Sequence, residues 1–316
     1  VSINQADAGY LAAQSQVKAL ASVARTRRLS ERAIEFVMFL CALSSVAITL
    51  GIVWVLLYES WHFFANVSLF DFLTDTQWTV LFENPRYGIM PLVAGTLVTS
   101  GIALLVALPL GTTIAIYLSE YAGASVREIL KPILELLSAV PTVVFGYFAL
   151  LFITPMLQHV LPDLPGFNML SAGIVIGVMI IPYVSSLSED AIKAVPVHIR
   201  EGSYAMGATR LQTSLRVLVP AAFSGIASAY VLGFSRAVGE TMVVAVAAGT
   251  QPNLTLNPME GAATITAYIV QVSLGDLPHG SIAYQSIFAA GLTLMCITLI
   301  FNIGGYLLRK RFREIY

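Results

Sequence analysis

Six apolar runs, at residues 34–57, 89–118, 132–154, 169–187, 217–248 and 283–308, constrain this chain more than anything else in it. Each is long enough to cross a hydrocarbon core of about 30 Å, which takes about 20 residues of helix. In that solvent the backbone must satisfy its own hydrogen bonds, so the runs are expected to be helical. Composition agrees. Of 316 residues 57% are hydrophobic and only 11% charged, with a mean hydropathy of +0.80. A soluble chain of this length needs a more charged surface. The expected fold class is therefore all-α: a polytopic membrane protein of six transmembrane helices.

Orientation follows from lysine and arginine, which collect in cytoplasmic loops. Lys18, Arg25, Arg27, Arg28 and Arg32 precede the first run. Arg127 and Lys131 lie between the second and third, Lys193, Arg200, Arg210 and Arg216 between the fourth and fifth, and Arg309, Lys310, Arg311 and Arg313 follow the last. The alternate connections hold only Arg86. Both termini are thus expected in the cytoplasm. The net charge of −1 gives no reason to expect a nucleic acid partner. Cys41 and Cys296, in the first and last runs, suggest packing residues rather than a disulfide or metal site.

Residues 1–33 lack the early apolar core of a signal peptide. They are expected as a disordered tail or as a helix on the inner leaflet, with their arginines near anionic lipid. The external loop at 59–88 carries Trp61, Phe63, Phe64, Phe70, Phe72, Trp78 and Phe82, a set suited to anchoring at the membrane interface. Pro109, followed by Leu110 and Gly111, is expected to kink or break the second run, and Pro141 to kink the third. Residues 249–281 are expected as a long external loop.

The internal loop after the fourth run reads as helix, tight turn, helix. Pro196 suits the first turn of a short helix, and Gly207 supplies a left-handed stop. Thr209 with Gln212 three residues on forms a capping box for a second helix. Gly202, Ser203, Ala205 and Ala208 keep the first helix small-sided, so a partner could approach its backbone; an ordinary interfacial helix would explain it too. Within the fifth run, Arg236 and Glu240 are four residues apart and are expected on one helical face, continuing a stripe of Gly225, Ser228, Ala229 and Gly233. Ionisable residues in a span are costly. Either the two charges neutralise each other as packing devices, or Arg236 offers its forked donors to an oxyanion while Glu240 holds the guanidinium between anions. The residues alone leave both readings open.

The sequence Asp190-Ala-Ile-Lys-Ala-Val-Pro196, followed by Arg200-Glu-Gly-Ser-Tyr-Ala-Met-Gly207-Ala-Thr-Arg210 and Val219-Pro-Ala-Ala222, resembles the EAA loop of binding-protein-dependent ABC importer permeases. Its glutamate corresponds to Glu201 and its glycine to Gly207; Gly202 and Ser203 replace the two alanines with residues equally small. Ser235-Arg-Ala-Val-Gly-Glu-Thr241, Leu134-Glu-Leu-Leu-Ser-Ala-Val-Pro-Thr-Val-Val-Phe-Gly146 and Leu108-Pro-Leu-Gly-Thr-Thr-Ile-Ala-Ile-Tyr117 are similar to blocks of phosphate-specific members. The long first external loop and Glu240-Thr-Met242 point to the PstC-type subunit over its PstA-type partner.

The resemblance implies a type I ABC importer-like permease fold. Residues 1–33 would be a cytoplasmic segment, 34–88 the first span and external loop, 89–308 the permease domain with a coupling helix within 190–216, and 309–316 a basic cytoplasmic tail. It implies ATP-driven import of inorganic phosphate by alternating access, with Arg236 and Glu240 on the pathway. Arg200, Glu201, Gly202, Ser203, Ala205, Gly207 and Ala208 would form the ATPase-coupling loop. The implied partners are a PstA-type second permease subunit, two cytoplasmic ATPases and an external phosphate-binding protein, besides membrane lipid. No phosphate-cradling loop occurs, so the chain is not expected to be an enzyme or to hold a cofactor. A permease for another oxyanion and an ion-coupled secondary anion carrier are the alternatives.

Overall fold

The computed structural model describes the backbone at residues 3–80, 82, 84–275, 278 and 280–311, and side chains within that set from residue 31 onward except 33. Two compact units emerge, Val1–Leu57 and Tyr58–Tyr316. The chain is helical nearly throughout. Among the described residues strand pairing is limited to one antiparallel bridge, Trp78 to Tyr87.

Helix α1 runs without interruption over Ile3–Phe64, so residues 3–33 continue the first span as helix rather than forming a disordered tail. The side chains of Lys18, Arg25, Arg27 and Arg28, and all of Arg313, lie outside the described residues. Among the described residues, four helical stretches are long and apolar enough to cross a membrane: Ile34–Phe64, Met90–Tyr121, Met169–Lys193 and Ile282–Arg311. Two bent pairs raise the count to as many as six.

After α1 comes α2 (Leu69–Thr74), which lies in the aromatic-rich loop at 59–88 and buries Phe72. Phe63, Phe72 and Trp78 are buried and meet edge to face, and Trp78 also meets Tyr268 at 4.9 Å between centroids. Only part of the aromatic set is therefore free for interfacial anchoring. Trp61, Phe70 and Phe82 are exposed, whereas the other rings build a core under the loop. Edge-to-face packing favours that arrangement.

Helix α3 (Met90–Ile116) passes through Pro109 unbroken and ends in a π-helical turn, Tyr117–Tyr121. Pro141 does more than kink its run. Helix α4 (Ala124–Ala139) and the following helical stretch, α5 (Thr142–Phe148), a π turn (Ala149–Ile153) and α6 (Thr154–Gln158), are bent by 89°. Helix α7 (Met169–Lys193) is the central element, and its burial explains its place: Ile176, Met179, Ile180 and Val184 are all nearly inaccessible. Glycines let neighbours approach it closely. A Cβ at Gly111 of α3 would lie 2.8 Å from Val184 Cγ1.

The loop after the fourth run forms α8 (Val197–Ala205) and α9 (Arg210–Thr213), then a π turn (Ser214–Leu218) and α10 (Val219–Ala221). Helix α11 (Phe223–Val238) leaves at 73° to the preceding stretch. The chain breaks again at Gly239–Thr241 before α12 (Met242–Ala247). The fifth run is thus three helical pieces. What reads as an external loop contains a further buried helix, α13 (Ile265–Ser273), ahead of α14 (Ile282–Arg311).

Candidate functional site

The break after α11 decides what Arg236 and Glu240 can do. Because the helix ends at Val238, Glu240 is not one turn above Arg236, and the expected shared helical face is absent. The Glu240 carboxylate instead accepts from Met242 N (3.2 Å) and Val243 N (3.4 Å), while its carbonyl accepts from Thr266 Oγ1 (2.6 Å). A carboxylate at this place satisfies backbone donors that open a helix and complements its dipole. Glu240 is only 7% exposed, so these bonds make its burial tolerable.

Arg236 is left without a carboxylate. Among the described residues it makes no ion pair, and its Nε is buried with no hydrogen-bond partner. Its guanidinium lies over the Tyr183 ring, 4.5 Å from the centroid, a cation–π contact that holds the fork without occupying its donors. Tyr183 also lines a cavity of about 250 Å³ together with Ser138, Ser185, Ser186, Lys131 and Glu189. The small-residue stripe on α11 faces protein, as expected. A Cβ at Gly225 would sit 2.4 Å from Ala191 Cβ, and one at Gly233 would sit 3.1 Å from Val184 Cγ2.

Glu189 escapes sequence reasoning, which uses its cationic neighbours only as orientation markers. Its side chain is fully buried, within 3.6 Å of Arg127 Nε and 3.7 Å of Lys131 Nζ, and hydrogen-bonded to Lys193. Lys131 also reaches Asp190. The i,i+4 spacing of Glu189 and Lys193 is the signal that could have found part of this cluster. Arg127 and Lys131 come from another helix and could not be placed.

The loop has the local form its sequence demands. Pro196 is the residue preceding α8, Gly207 adopts φ +84° after it, and Thr209 and Gln212 make both halves of the capping box. Ser203 and Thr213 hydroxyls, 2.9 Å apart, tie the two helices together. Glu201, Gly202, Ala205 and Gly207 are exposed, Ser203 and Ala208 half-buried, and nothing lies within 4 Å of where a Gly202 Cβ would be. Apolar side chains flank this surface, with Met206 89% and Leu211 58% exposed.

Arg200 turns the other way. It donates to the Ile192 carbonyl at 2.8 Å and pairs with Glu120 at 3.3 Å. Glu120 sits in the π turn that ends α3 and is itself held by Ser119 Oγ at 2.8 Å. Arg200 thus fastens α8 to the ends of α3 and α7.

Broken spans around a half-buried arginine whose Nε is fully buried, together with an exposed helix–turn–helix, define a multi-pass membrane protein of the transporter class. The chain belongs to the family of binding-protein-dependent transport system inner membrane components, whose pattern matches residues 107–314. It is 34% identical over 284 residues to the probable ABC transporter permease protein YqgH of Bacillus subtilis, covering 89% of this chain and 92% of that one. The phosphate transport system permease protein PstC of Mesorhizobium japonicum is 32% identical, with 84% and 86% covered. PstC 1 of Mycobacterium tuberculosis is 35% identical, with 69% and 71% covered. Among solved structures, a bacterial ABC transporter importing the acidic polysaccharide alginate shares the fold at 18% identity, with a TM-score of 0.64, covering 91% of this chain and all of that one. The MetNI methionine transporter in an inward-facing form shares it at 19% identity and a TM-score of 0.53, over 72% of this chain and 94% of that one.

Proposed function

We propose that this chain is a PstC-type permease subunit that carries inorganic phosphate through the membrane for an ATP-driven importer. The observation that carries the reading is the Arg236 guanidinium, held on Tyr183 with its Nε buried and unpartnered. A planar fork of this kind recognises an oxyanion, and phosphate is the anion named in the PstC relatives. The two bent pairs are taken as single spans, giving six spans and cytoplasmic termini. Residues 1–33 and 309–316 would flank the membrane domain on that side.

Phosphate arrives from an external binding protein; the alginate transporter of the same fold is known in complex with its own periplasmic protein. A PstA-type subunit supplies the other half of the pathway, and one of two ATPases docks on the exposed surface of α8 and the turn after it, where Glu201, Gly202, Ala205 and Gly207 lie. Hydrolysis takes place in those subunits. Movement of α8 passes through Arg200 to Glu120 and the end of α7, and through α10 to α11, whose breaks at Ala222 and Gly239–Thr241 serve as hinges. Arg236 is thereby exposed to one side and then the other. Glu240 positions the break and does not contact the anion.

Uptake of labelled phosphate by the reconstituted four-subunit complex tests this. Uptake should require both ATP and the binding protein, and a tenfold excess of sulfate should leave it unchanged. Uptake by this chain alone under a proton gradient would establish a secondary carrier instead, and competition by sulfate would widen the substrate to oxyanions generally.

A further inference from the structure

A second cationic site lies between α11 and α14, on the side where α8 and α9 lie. A cavity of about 440 Å³ is lined by Ser224, Gly225, Ser228, Tyr306, Arg309 and Lys310. Two of these residues are cations and none is an acid. Arg309 NH1 donates to Ser228 Oγ at 3.1 Å, and that hydroxyl in turn donates to the Ser224 carbonyl at 2.8 Å. The Arg309 Nε is buried and has no acceptor. Among the described residues the Ser224 hydroxyl, the Tyr306 phenol and the Lys310 ammonium also make no hydrogen bond or ion pair. A guanidinium donor buried without an acceptor is costly. These donors line one cavity that has no carboxylate among the described residues, a lining suited to an anion with several acceptor oxygens.

We propose that this cavity binds a phosphate group, supplied by the headgroup of an anionic phospholipid. The fork of Arg309 and the point charge of Lys310 match a tetrahedral phosphate. The cavity sits at the basic end of a 30-residue apolar helix, where headgroups of the adjoining leaflet lie. Its lining joins α14 to the first turns of α11, the helix that carries Arg236. These elements pack tightly elsewhere: a Cβ at Gly305 would meet Val231 Cγ2 at 2.2 Å, and Asn302 reaches Ser235 Oγ at 3.1 Å. A bound headgroup thus braces α11 against α14. The site is independent of the transport reading.

Native mass spectrometry of the assembled complex, released from bilayers of equal phosphatidylglycerol and phosphatidylcholine, tests the proposal. The wild type should retain phosphatidylglycerol over phosphatidylcholine, and Arg309→Gln with Lys310→Gln should lower that retention about tenfold, an effect of 1.4 kcal/mol. If the double variant fails to assemble, Ser224→Ala with Tyr306→Phe removes two donors and leaves the cations, and should lower retention less. A second arm titrates inorganic phosphate into delipidated Arg236→Gln complex with Arg309 intact or changed to Gln. Binding that depends on Arg309 there, with no lipid preference in the first arm, would assign the site to free phosphate and overturn the lipid source. Retention and titration both indifferent to these residues would overturn the site itself.

Discussion

The loop around α8 and α9 and the break around Arg236 are both interruptions in a membrane domain, yet they are built in opposite ways. The loop is assembled from its own neighbours: Gly207 turns left-handed, Thr209 and Gln212 cap each other, and Ser203 meets Thr213. The break is assembled from across the fold. Tyr183 holds Arg236, Thr266 holds the Glu240 carbonyl, and α12 takes the Glu240 carboxylate. A locally built element can present its surface to another protein without falling apart. A break whose charges are held by separate helices is open to rearrangement when those helices move, the behaviour that the proposed pathway would use.

Substitutions can break this comparison, beginning with the largest effect. Gly225→Leu should prevent accumulation of folded protein, because its Cβ already meets Ala191 at 2.4 Å and the backbone cannot yield; overpacking of this kind costs about 1–3 kcal/mol or more. Membrane-fraction yield checks it. Arg200→Glu or Glu120→Arg should each lower uptake about tenfold or more while ATP hydrolysis by the assembled complex persists, since removing one member of a largely buried pair costs about 3–5 kcal/mol. The double exchange should restore part of the uptake. No restoration would mean that Arg200 serves the docking surface rather than the link to α3.

That link shows where sequence ends as a guide. The apolar runs, the left-handed glycine and the capping box were legible because each depends on residues within one turn of each other. The destination of Arg200 was not, because Glu120 lies 80 positions earlier and spacing cannot bring them together. The same limit explains Glu240. An i,i+4 rule holds only while the helix continues, and Gly239 ends it. Glu189, surrounded by cations from two helices, and α13, hidden within an apparent external loop, were invisible for the same reason: tertiary burial decided them.

Smaller effects sharpen the contrast. Met206→Ser, at an 89%-exposed position, should leave the thermal midpoint of this chain unchanged but weaken ATPase co-purification. Thr209→Ala removes half of the capping box and should cost about 1 kcal/mol, read as a small fall in thermal midpoint. Glu240→Gln keeps an amide oxygen for Met242 N and Val243 N, so uptake should fall less than about threefold. A collapse equal to that of an Arg236 variant would return Glu240 to the pathway.

The most direct test of the pathway is a paired measurement of phosphate uptake and ATP hydrolysis in reconstituted complex carrying Arg236→Gln, with ATPase binding verified. Loss of the guanidinium should reduce uptake by about a hundredfold, equivalent to about 2.7 kcal/mol, while hydrolysis stimulated by the binding protein continues. Unchanged uptake in an intact complex would contradict the account and reduce the contact between Arg236 and Tyr183 to helix packing.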